Sequence, residues 1–193
     1  VASTTLAANA AMKSIVRRDT GADWRAYVVG LMQEAGVVRP DAEPTDDEVR
    51  RFDQQRKNKQ VSNEEWQSTT DPDARIARMK DGRTHLAYKA EHVVDLQSEL
   101  LLAAEVYYAD QADQHTLVDS VLAAQLHLNA AGVSATIDEA AADKGYHAAA
   151  QLVLAESLAL RTYIPEPARA HRARWTDKPA EQQRVVYANR RRT

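Results

Sequence analysis

The sequence contains no cysteine. It can therefore form neither a disulfide framework nor a thiolate metal site, which suits a reducing, cytoplasmic setting. No apolar run approaches the roughly 18 residues that would span a bilayer. The longest, Leu100 to Ala104, has the length of a buried strand. The opening "VASTTLAANAAMKSIVRR" has no initiator methionine and no compact apolar core. Its basic residues follow the apolar ones, the reverse of a secretory signal. The histidines, His85, His92, His115, His127, His147 and His171, show no HExxH and no paired metal spacing. Neither a GxSxG elbow, nor a phosphate-cradling glycine loop, nor a dinucleotide-binding fingerprint occurs. No internal repeat is visible, and alanine enrichment is the one compositional bias.

What is present reads as a folded protein. Hydrophobic residues make up 44% of the 193 positions and charged residues 27%, proportions that argue against disorder and suffice for one full domain. The formal net charge of -3 hides an asymmetry. From Ala168 to Thr193 the basic residues are Arg169, Arg172, Arg174, Lys178, Arg184, Arg190, Arg191 and Arg192, against the acids Asp177 and Glu181. Clustered arginines of this kind either serve a polyanion or form a solvated, frayed end.

Along the chain, residues 1 to 12 read as an opening strand. "DWRAYVVGLMQEA" sets Trp24, Tyr27, Val28, Leu31 and Met32 at helical spacing, with Trp24 in the core and Gly36 as the stop. Thr45 is the expected N-cap of a charged helix running to about Asn58. Turn signals follow at Asp71-Pro72-Asp73 and Asp81-Gly82. Residues 13 to 83 are expected to form a polar insertion with its own small helices. Its acidic stretch, 41 to 48, suits a protein partner rather than DNA.

In "THLAYKAEHVVDL" the residues Leu86, Tyr88, Ala90, His92, Val94 and Leu96 alternate with Lys89, Glu91 and Asp95. That predicts a half-buried strand with the first set, His92 included, facing the core. "ELLLAAEVYYA" is the expected antiparallel partner, joined by a turn at Gln97-Ser98. Leu117, Val118, Val121, Leu122 and Leu126 predict a helix stopped by Gly132. A short strand at Ala140 to Ala142, a helix from Tyr146 to Leu158 and a strand at "RTYIPE" complete a β-β-α-β-α-β order. This is an α/β layer with a mixed sheet.

Asp143 then stands at the carboxyl edge of that sheet, where ligands of open α/β folds gather. Gly145 permits a tight turn or a close approach, and Lys144 lies beside any bound phosphate. The alternative role for Asp143 is an N-cap.

Four ordered stretches, "DPDARIARMKDGRTHLAYKAEHVVDL", "AADKGYH", "RTYIPEP" and "YANRRRT", resemble the DDE transposases of bacterial insertion sequences. The opening "TTLAANAAMKSIVRRDTG" is similar to the start of the same catalytic core. The resemblance covers nearly the whole chain. It implies an RNase H-like mixed sheet flanked by helices, with a helical insertion after the first strand. The parts would be an opening strand at 1–12, the insertion at 13–83, the core at 84–167 and a basic segment at 168–193. It also implies a two-metal phosphoryl transfer enzyme, in which two Asp and one Glu hold Mg²⁺ or Mn²⁺ ions roughly 4 Å apart. Asp143 matches the second aspartate and is the expected metal ligand and catalytic residue. The first aspartate falls where this chain has Ala2, and the Glu lies downstream of the "NRRR" stretch. A catalytically incomplete core, cut before that Glu, is therefore the expectation, with a non-catalytic DNA-binding or interaction module as the alternative.

Asp95 is the residue that could replace the missing acid, its other role being in the turn. The partners implied are the element ends and target DNA, contacted through Lys144, Tyr146, Lys178, Arg190, Arg191 and Arg192. A second copy of the chain is a possible further partner and a membrane is not, which places the protein in the bacterial cytoplasm near the nucleoid. Trp175 either stacks on a base or anchors an irregular segment.

Overall fold

The computed structural model describes residues 1–57, 59, 61–79, 82–168 and 174–193. Asp81 of the expected Asp81-Gly82 turn lies outside them, as do Arg169, His171 and Arg172. The described chain is mixed α/β with five α-helices, arranged as two compact units. One comprises Val1–Thr5, Lys89–Tyr107 and Gln111–Thr193, and the other Leu6–Tyr88 and Tyr108–Asp110.

In the first unit, strand β5 (Thr84–Val94, entering the unit at Lys89) pairs with β1 (Ala2–Ala7) and with β6 (Leu101–Tyr108). Helix α3 (Leu117–Ala130) follows a 3-10 turn at Asp113–His115. Strand β7 (Glu139–Ala141) pairs in parallel with β8 (Arg161–Tyr163), and helix α4 (Ala149–Ser157) connects them. Helix α5 (Ala180–Arg192) packs on α4 and β8. The core gathers Leu117, Tyr146, Leu152, Ile164, Val185 and Val186.

Two expectations are corrected here. On β5 both faces are covered where one was expected: Leu86 and Ala90 of the expected face are buried, but so are Ala87, Lys89, Glu91 and Val93 of the other, whereas Val94 is exposed and His92 only half-buried. The cause is α3, whose Thr116 and Ser120 hydroxyls meet Glu91 and so allow a charged face to be covered. Of the two readings of the basic end, the solvated, frayed one does not hold for its described helix. In α5, Val185, Val186 and Asn189 are buried and Arg184 bonds Glu156 at 2.7 Å.

The second unit holds helix α1 (Trp24–Glu34), helix α2 (Asp46–Gln55) and strands β2 (Ile15–Arg17), β3 (Trp66–Ser68) and β4 (Arg75–Arg78). Asp23 caps α1 by accepting from Ala26 N at 2.8 Å. Thr45 and Glu48 cap α2 reciprocally, a capping box. The insertion was expected to be helical, yet β2 and β3 form an antiparallel pair within it and β4 pairs with the start of β5. Trp66, not Trp24, is the core tryptophan: Trp24 is 38% exposed and Trp66 3%.

Arg17 stands 4.9 Å over the Tyr27 ring and 5.7 Å over Trp66, and bridges Asp19 at 2.6 Å and Glu65 at 3.0 Å. The hydrogen bond from Arg17 pulls the Asp19 carboxyl down to about 2. A carboxyl depressed below its unfolded value of about 3.9 adds stability above that pH and loses it as pH falls through about 2. Asp19→Asn is expected to flatten the decline of the urea midpoint across that acid window, with the midpoint at neutral pH lowered.

Candidate active site

Strand β7 ends one residue before Ala142, whose N–H donates to Tyr163 O at 3.2 Å and carries the parallel pairing to the edge of the sheet. Asp143 comes next, in extended backbone, and its Oδ1 accepts from Gly145 N at 2.6 Å. It thus caps the 3-10 turn Lys144–Tyr146. The capping role leaves the carboxylate exposed, as is Lys144 beside it.

Gly145 is required for space rather than for its backbone angles. A β-carbon there would lie 2.9 Å from Asp143 Oδ1 and 3.0 Å from Asp113 Oδ2, closer than real side chains approach. Two carboxylates separated by 30 positions in the chain therefore converge on one glycine.

Behind them lies a buried polar cluster. Asp113 Oδ1 accepts from Ser3 Oγ at 3.1 Å and from Lys89 Nζ at 3.2 Å. Lys89 Nζ also meets Glu91 Oε1 at 2.9 Å and donates to Thr116 Oγ1 at 3.0 Å. Glu91 is fully buried, with Oε1 accepting from Thr116 and Oε2 from Ser120 Oγ at 2.7 Å. Tyr107 OH lies 2.9 Å from Ser120 Oγ, and Lys89 sits 5.4 Å from the Tyr107 ring centre. Tyr146 is wholly buried; its hydroxyl lies near Ser3 and Glu91 but meets hydrogen-bond geometry with neither. Burial drives its phenol well above the ordinary value, and the negative charges of Glu91 and Asp113 add to the rise.

Of the residues expected from sequence, Asp143 alone lies in this constellation with an exposed carboxylate. Asp95 accepts from Ser98 N at 2.9 Å and from Ser98 Oγ, closing the β5–β6 turn. Those bonds hold its carboxyl below the usual range. Its described hydrogen bonds belong to that turn, not to the Asp113 cluster. Ala2 is exposed, and it is the next residue, Ser3, that reaches Asp113.

Among the expected DNA contacts, Tyr146 is corrected: its ring is part of the core and presents no face to a nucleic acid. Arg190 is held by Glu166 through two bonds of 2.7 and 2.9 Å, which offsets its charge. Arg191 and Arg192 are exposed at the end of α5. Lys178 is half exposed, 3.8 Å from Asp177. Trp175 packs against the core cluster, 6.3 Å from the His147 ring, so it anchors its segment.

Sequence reasoning missed Lys89, Glu91 and Asp113. The signal was present: a Lys and a Glu two positions apart share one strand face, and Thr116 and Ser120 share one face of the following helix. Among the described residues no group of three or more His, Cys, Asp or Glu side chains is arranged to hold a metal ion, and no helix is long and apolar enough to cross a membrane. No family model matches this chain, and no curated protein matches it.

Proposed function

We propose that this chain is part of the catalytic core of an insertion-sequence DDE transposase with an RNase H-like fold, a protein that contacts DNA phosphates beside Asp143. One observation carries the reading: Asp143 stands just past the end of β7, exposed, where β7 meets the start of β1 and runs parallel to β8. Val1 packs against the cluster that contains Ala140 of β7, and its amine donates to Ala141 O at 2.6 Å. Strands β6, β5 and β1 share one sheet and β7 and β8 form a two-stranded sheet of their own, brought beside β1 at Val1; an RNase H-like core has strands in that succession. An acid at the edge of its parallel part is where phosphoryl transfer needs a hard oxygen ligand for Mg²⁺ or Mn²⁺.

The residues fit that role in part. Asp143 supplies one carboxylate, while the alanine at position 2 removes another. That alanine favours the second reading, in which the same surface binds DNA without cutting it. In both readings Lys144, Lys178, Arg191 and Arg192 make sequence-independent phosphate contacts.

Fluorescence anisotropy with a labelled duplex, repeated across a salt series, tests the shared step. Each phosphate neutralised adds about -0.9 to the log-log slope, so the four contacts predict a slope of about -3 to -4. Replacing Arg191 and Arg192 together by alanine should reduce its size by about 2. A folded chain that fails to bind at low salt, or whose slope ignores the double substitution, overturns the proposal. Nicking of supercoiled DNA in Mg²⁺ separates the two readings.

A further inference from the structure

No further inference is drawn: the strongest candidate, the apolar hollow of about 600 Å³ between the end of β5, strand β7 and helix α3, lined by Val93, Leu102, Val121, Leu128 and Ile137, is an unpartnered apolar face, and nothing in the structure shows what covers it.

Discussion

Lys89→Met is expected to destabilise the first unit by about 3 to 5 kcal/mol, the usual cost of stripping one partner from a buried ion pair. Lys89 is 5% exposed and Glu91 fully buried, so neither can turn to water for compensation. With the ammonium gone, Glu91 keeps the hydroxyls of Thr116 and Ser120 but loses its ion-pair partner, and Asp113 loses its cation as well. The double variant Lys89→Met/Glu91→Leu removes the unpaired carboxylate along with its partner. It should recover most of the loss, because replacing a whole buried pair by apolar groups is often close to neutral. Urea unfolding of the two single variants and the double variant measures the coupling. A Lys89→Met chain as stable as the wild type would mean that water reaches Glu91, and the closed polar cluster would be wrong.

Asn189→Ala should release helix α5 from strand β8 at a cost of about 3 kcal/mol or more. The Asn189 side chain makes three bonds: Oδ1 accepts from Ile164 N and from Thr162 Oγ1, both at 3.1 Å, and Nδ2 donates to Ile164 O at 2.7 Å. Truncation strands both backbone groups of a fully buried residue and the hydroxyl of Thr162. Each stranded group costs about 1 to 3 kcal/mol. Hydrogen exchange should show the Ile164 amide losing protection together with the α5 amides, while the α3 amides keep theirs. Arg191→Ala, on the exposed side of the same helix, should leave exchange unchanged, since surface substitutions of this kind shift stability by less than about 0.5 kcal/mol. Equal loss across α3 and α5 would instead mean that the unit opens as a whole.

These two sites also mark where the sequence was legible and where it was not. Local chemistry could be read directly. Thr45 caps the helix it was expected to cap, and Gly36, at φ +68°, ends α1 because a left-handed residue there carries no β-carbon penalty. The short strand before Asp143 and the parallel strand at Arg161–Tyr163 fall where they were expected. Long-range pairing could not be read. Strands β2 and β3 have three residues each and lie about fifty positions apart, so no periodicity announces them.

The burial of both faces of β5 has the same origin. Alternation shows that two faces differ, but which one is covered depends on what packs there, and the hydroxyls of α3 accommodate a Lys-Glu pair. Helix α5 escaped notice because its arginines outweigh a narrow buried stripe of Val185, Val186 and Asn189. Within the candidate site, Asp143 was legible from its place after a strand. Asp113 was not, because only folding brings residue 113 to Gly145.

The most direct test of the central claim, that the surface around Asp143 holds DNA through a metal-facing carboxylate, is the duplex-binding measurement made with and without Mn²⁺. A divalent ion held by carboxylates completes its shell with phosphate oxygens, so Mn²⁺ should tighten DNA binding by about tenfold or more in the wild type. The gain should vanish in Asp143→Asn, while the metal-free affinity set by Lys144, Lys178, Arg191 and Arg192 holds or rises as a negative charge beside the phosphates is lost. DNA binding that ignores Mn²⁺, or a Mn²⁺ effect that survives in Asp143→Asn, would contradict the account.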